Sequence, residues 1–150
     1  MPWQEIISGH RAVLSSILIG SLLFALAAIY IGPNYEPAFL GVYHAELSNA
    51  PFDMDQPNWM RLRILAPLIG YLVHLRGPLF FLVPWTFLLL FIIRIQLLGH
   101  RLTGSWIHAT LLASTVAFSC TTFIPLMAPG YVDTVAYFCV LFCFIPGVTF

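Results

Sequence analysis

Two carboxylates and two guanidiniums fall within eleven residues in Asp53-Met54-Asp55-Gln56-Pro57-Asn58-Trp59-Met60-Arg61-Leu62-Arg63. The Asp-x-Asp pair has the oxygen donors to hold a divalent cation, which in turn binds a phosphate or diphosphate. Alternatively, one of the two aspartates serves as general base toward an acceptor hydroxyl. Arg61 and Arg63 suit bidentate capture of a phosphate, the natural use of a guanidinium. The same residues also make a simpler object. Charged side chains gather at a membrane surface because they cannot enter its core, and Trp59, Arg61 and Arg63 together form an ordinary interfacial anchor.

A second group is Gly130-Tyr131-Val132-Asp133 after Ala128-Pro129. Asp133 opens an apolar run and suits a helix first turn, where the helix dipole favours a negative charge. In the functional reading Tyr131 and Asp133 border the same polar cavity as Asp53 and Asp55, because ionisable groups beside membrane cavities often mark substrate paths.

The rest of the chain gives these residues their setting. Of 150 residues, 60% are hydrophobic and 8% charged, against about 25% charged in soluble domains. Mean hydropathy is +0.91. The chain is expected to be one integral membrane domain. Zero net charge and no basic run leave no electrostatic footprint for nucleic acid. The three cysteines, Cys120, Cys139 and Cys143, lie in apolar stretches without a C-x-x-C and read as packing residues. His74, His100 and His108 are not spaced as a metal-ligand set.

Apolar runs at residues 12–31, 78–98 and 106–124 are each long enough to cross a hydrocarbon core of about 30 Å. The polar turn His100-Arg101-Leu102-Thr103-Gly104-Ser105 joins the last two as a helical hairpin. Residues 62–75 reach only about 21 Å and contain Pro67, Gly70 and His74, so they read as a short tilted span or a re-entrant segment. A final run, 135–150, ends without a polar flank, and the chain reads as the N-terminal portion of a larger membrane protein. The expected fold is therefore all-α: a polytopic bundle of about five spans, or four if 62–75 is re-entrant.

Small residues supply close helix contacts: Ala109, Ala113 and Ala117 in one span, Ser16 and Gly20 in the first. Arg94, near the end of its helix, is expected to snorkel to the interface. The first loop carries Phe39, Val42, Tyr43 and Leu47 at helical spacing, which predicts a short interfacial helix with Glu46 on its wet side. Counting arginines in the loops gives no clear membrane orientation.

One N-terminal span, an acidic first loop, and Asn58-Trp59-Met60-Arg61-Leu62-Arg63-Ile64-Leu65-Ala66-Pro67-Leu68 entering the next helix resemble the opening of GT-C type membrane glycosyltransferases. The later Gly130-Tyr131-Val132-Asp133 segment resembles one found in the same proteins. The resemblance implies a polyprenyl-phosphate sugar donor, a catalytic base at Asp53 or Asp55, and phosphate binding by Arg61 and Arg63. Glu46, Tyr131 and Asp133 are secondary candidates for the cavity. It also implies a bacterial cytoplasmic membrane, with transfer at its extracytoplasmic face. The competing expectation is a non-catalytic membrane protein, either a transporter fragment or an accessory subunit. The span interiors, apolar apart from Thr86, Thr110, Ser114 and Thr115, weigh against transport of polar solutes.

Overall fold

The computed structural model describes residues 2–36, 40–52, 64–128 and 133–144. Among them are seven α-helices and one 3-10 turn, with no strand. The first helix, α1 (Pro2–Ile31), starts on a proline, which suits a first helical position. It ends where Gly32, at φ +68°, donates its N–H to Ala28 O at 3.0 Å and Pro33 follows. Its buried stripe is Ser16, Gly20, Leu23 and Ala27, while Leu14, Leu18, Leu22 and Ile29 face outward. In lipid that outward face is the favourable one.

Two short helices follow, α2 (Leu40–Leu47) and α3 (Leu65–Leu72), then a 3-10 turn (Gly77–Phe81) leading into α4 (Leu82–Thr103). The bundle is built around α4. The stretch 92–99 within it, including Ile92, Ile93, Arg94, Gln96, Leu97, Leu98 and Gly99, is buried almost all round, as a helix with neighbours on several sides requires. Gly104, at φ +66°, closes α4 with its N–H on His100 O at 2.8 Å. The expected hairpin then turns into α5 (Trp106–Ala117), and Ala109, Ala113 and Ala117 are all fully buried.

The span expected at 106–124 is broken. α5 gives way to α6 (Cys120–Met127) with a bend of 44°. Ser119 caps α6 by accepting from Thr121 N at 3.2 Å, and Thr122 Oγ1 donates back to Val116 O at 3.0 Å, so side chains take over the freed backbone groups. The last helix, α7 (Asp133–Phe144), carries Asp133 in its first turn as expected.

Helices α1 and α4 are antiparallel. Gly20 meets Ile93, and Leu23 and Ala27 share a core with Leu88, Ile92, Ala113, Ala117 and Leu126. Beyond α1, Tyr35 packs on Phe81 and Trp85, with centroids 6.2 and 5.7 Å away. Trp85 Nε1 donates to Pro125 O at 3.0 Å, and the Asn34 N–H donates to Leu126 O at 3.1 Å. Thr134 Oγ1 donates to Pro84 O at 3.0 Å. The end of α1, the start of α4, the end of α6 and the start of α7 thus lie together. At the opposite end His100 stacks on Trp106, with centroids 3.7 Å apart.

Among the described residues two or three helical segments meet the length and hydropathy of a membrane span. Gly9–Ile31 and Gly77–Thr103 are long and apolar enough to cross a membrane, and the bent α5–α6 pair makes a third if counted as one span. Among the described residues the five-span count is not confirmed. α3 has only 8 residues, about 12 Å of helix, and the chain between α1 and α4 returns to the end it left. α3 packs there instead, in a second core where Ala66 joins Ala45, Phe80, Val83 and Val135.

Two further expectations change. Arg94 is only 2% exposed and does not snorkel, because α4 has neighbours where a peripheral helix would meet the interface. In α2 the inward face is Gly41, His44, Ala45 and Leu47, while Val42 and Tyr43 share the exposed side with Glu46. Glu46 is outward as expected, but the apolar spacing of Val42 and Tyr43 does not mark the packed face. Phe39 lies outside the described residues.

The α1–α4 approach is testable at one atom. A methyl group on Gly20 would lie 2.7 Å from Ile93 Cγ1 and 2.9 Å from Ile93 Cα, whereas Gly9 has nothing within 4 Å. Gly20→Ala should destabilise by about 1–3 kcal/mol, and Gly9→Ala should be neutral or stabilising by up to about 1 kcal/mol. Thermal unfolding in detergent micelles checks both.

Candidate functional site

An open concavity lies at the end where α1 finishes and α4 begins. Its construction starts with Ser48, fully buried just after α2. The Ser48 hydroxyl donates to Ala45 O and accepts the Gly77 N–H at 3.1 Å, tying the end of α2 to the first residue of the 3-10 turn. The Ser48 N–H returns to His44 O at 2.9 Å and the Asn49 N–H to Glu46 O at 2.9 Å, so the chain closes tightly behind the helix. Gly77 sits at φ +54°, a conformation that disfavours any side chain. The Asn49 amide lies 3.8 Å from where a Cβ on Gly77 would be.

Between these pieces runs an open groove of about 460 Å³, lined by Glu36, Val42, Ala45, Glu46, Asn49, Gly77 and Pro78. Its lining is mostly apolar and includes two residues that carry carboxylates and one that carries an amide. Glu36 is held near the groove by a local turn in which its N–H donates to Asn34 Oδ1 at 3.1 Å. Among the described residues neither the Glu36 nor the Glu46 carboxylate has an ion-pair or hydrogen-bond partner, and both are exposed. Such a surface can accept hydrogen bonds from hydroxyl or ammonium groups, and it repels phosphate.

Behind the groove, His44 is fully buried on the inner side of α2. Next to Gly77, Arg76 donates through Nε and Nη2 to Tyr71 O at 3.2 and 3.0 Å and stacks on the Tyr71 ring at 3.9 Å. This arginine neutralises the C-terminal carbonyls of α3 and keeps a positive charge at the same end of the bundle.

Of the residues singled out in the sequence, Glu46 lines the groove. Asp133 lies at the same end, beside Thr134, but not in the lining. Asp53, Asp55, Arg61, Arg63 and Tyr131 lie outside the described residues, as does the possible cation site at Asp53 and Asp55. Among the described residues no three His, Cys, Asp or Glu side chains converge as a metal site. Asn49, Arg76 and the Gly77-Pro78 turn were not singled out by sequence reasoning. Their available signal was Gly-Pro after a cationic residue, which marks a turn before a helix. Only folding brings that turn to α2.

Removing the Ser48 hydroxyl leaves the Gly77 N–H without its acceptor. Ser48→Ala should cost about 1–3 kcal/mol and should raise protease susceptibility around residues 49–52 more than at the α4–α5 hairpin. Thermal unfolding with limited proteolysis measures both effects.

Comparison with protein-family models, curated proteins and solved structures finds no match, so a functional reading rests on the chain's own residues.

Proposed function

We propose that the groove end is the working face of a membrane glycosyltransferase-like enzyme, which transfers a sugar from a polyprenyl-phosphate donor to a hydroxyl-bearing acceptor. The observation that carries this reading is an open groove with two unpaired carboxylates, formed by the same loop whose continuation holds Asp53, Asp55, Arg61 and Arg63. In this reading the groove receives the acceptor, with Glu36, Glu46 and Asn49 accepting its hydrogen bonds. The donor phosphate is repelled by these carboxylates and sits at Arg61 and Arg63, while its polyprenyl chain lies in lipid. Tyr131 and Asp133 border the cavity.

The chemistry asked of the protein is modest. The acceptor oxygen attacks the anomeric carbon, the polyprenyl phosphate departs, and Asp53 or Asp55 takes the acceptor proton. A divalent cation on the Asp-x-Asp pair would help neutralise the leaving phosphate. The chain is an integral membrane protein crossing four times, through α1, α4, α5–α6 and α7, with residues 62–75 re-entrant. The groove faces the extracytoplasmic side of a bacterial cytoplasmic membrane.

A second reading, a transporter fragment or accessory subunit, draws support from Arg94 and Gln96. Both are buried within α4, in a span interior where polar groups often serve transport.

Asp53→Asn and Asp55→Asn separate the two. The enzyme reading expects at least one of them to lower turnover by about 10²–10⁴-fold with membrane insertion intact, and Glu46→Gln to raise the acceptor KM more than it lowers kcat. Transfer of radiolabelled sugar from a polyprenyl-phosphate donor in proteoliposomes is the assay. Undiminished turnover in both aspartate variants would remove the catalytic assignment.

A further inference from the structure

The opposite end of the bundle holds polar groups that the groove does not explain. Ser16 on α1 and Gln96 on α4 are both fully buried. Among the described residues, Ser16 Oγ, Gln96 Oε1 and His100 Nδ1 are buried without a hydrogen-bond partner. Gln96 Nε2 donates to Thr110 Oγ1 on α5 at 3.1 Å. Thr86, Thr103 and Thr115 each return their hydroxyl to a carbonyl one turn back, but Thr110 does not.

The helix register sets these groups at neighbouring levels of the bundle. The antiparallel register that sets Gly20 against Ile93 puts Ser16, one turn earlier on the same stripe, level with Gln96 and Leu97. His100 lies one turn beyond Gln96 on the face of α4 that meets α5, where it stacks on Trp106. Thr110 and Trp106 also line an open groove of about 320 Å³ on the outer side of α5. Towards the other end Leu23, Leu88, Ile92 and Ala113 of the same three helices pack in one apolar cluster.

Inside a bilayer an unmet polar group is costly, and direct pairing among these residues leaves acceptors over. A water molecule has both donors and acceptors to offer and is held where two to four polar partners converge. We propose that α1, α4 and α5 enclose a hydrated polar seam, entered from the hairpin end beside His100 and Trp106, that carries water as deep as Ser16. Water donates to Gln96 Oε1 and meets the Ser16 hydroxyl and His100 Nδ1, and the apolar layer at Leu23 and Ile92 stops it.

Thiol reactivity tests the seam in the membrane-embedded protein. In a background lacking Cys120, Cys139 and Cys143, single cysteines replace Ser16 or Leu23, two turns apart on one stripe. The probe is a small hydrophilic methanethiosulfonate. A thiol in dry apolar surroundings is held in its unreactive protonated form, so Ser16→Cys should react at least about tenfold faster than Leu23→Cys. Adding Gln96→Leu should slow the Ser16→Cys reaction while leaving Leu23→Cys slow, which also shows that the bundle remains packed. Equal rates at the two positions, whether both slow or both fast, would overturn the proposal, as would a Ser16→Cys rate unaffected by Gln96→Leu.

Discussion

The close approach of α1 and α5 to α4 is the constraint on which the other features depend. Gly20 admits α1 until no space for a methyl remains beside Ile93, and Gly99 does the same for α5, where an added Cβ would lie 3.0 Å from Ala109 Cα. In lipid no hydrophobic force separates helix–helix from helix–lipid contact, so association relies on such intimate packing and on a few hydrogen bonds. These two contacts fix register as well as proximity. Once Gly20 faces Ile93 with the helices antiparallel, the end of α1 must lie beside the start of α4, and every connection in the first half of the chain must return to that end.

Polar residues then sort by where the bundle lets them meet water. Glu36, Glu46, Asn49, Arg76 and Asp133 collect at the end where α1 finishes, and Arg11, Arg101 and His108 at the other. The loop after α1 cannot lie flat on the membrane, because Ser48 pins it to Gly77 and the packing of Ala45 against Phe80 turns α2 onto the bundle. A groove remains between α2 and the 3-10 turn. Its two exposed carboxylates and apolar lining follow from these attachments rather than from any local motif.

Much of the helical framework is legible in the sequence. The runs at 12–31 and 78–98 form α1 and α4, the polar turn closes at Gly104, the alanines of α5 are buried, and Asp133 begins a helix. What was not legible is mostly a matter of direction. In nearly uniform apolar helices, hydrophobic periodicity does not mark which face meets protein and which meets lipid, so Arg94 and Gln96 gave no sign of being interior. The break at Phe118 and Ser119 depends on side-chain capping by Ser119 and Thr122, weaker than the apolar run that crosses it. In α2 the small residues Gly41 and Ala45 decide the packed face, not the larger Val42 and Tyr43. Of the candidate site, Glu46 could be read from the sequence, whereas the partnership of α2 with Gly77 joins residues far apart in the chain.

The central claim is that α1 and α4 run antiparallel and leave the first loop, with its carboxylates, on the extracytoplasmic face. Single cysteines at Ala50 and Leu102, both exposed, test it directly by labelling intact cells with an impermeant maleimide before and after permeabilisation. Labelling of Ala50→Cys from outside, with Leu102→Cys labelled only after permeabilisation, is the result this account predicts. Labelling of both from the same side would contradict the antiparallel arrangement, and the reverse pattern would contradict the assignment of the groove to the extracytoplasmic face.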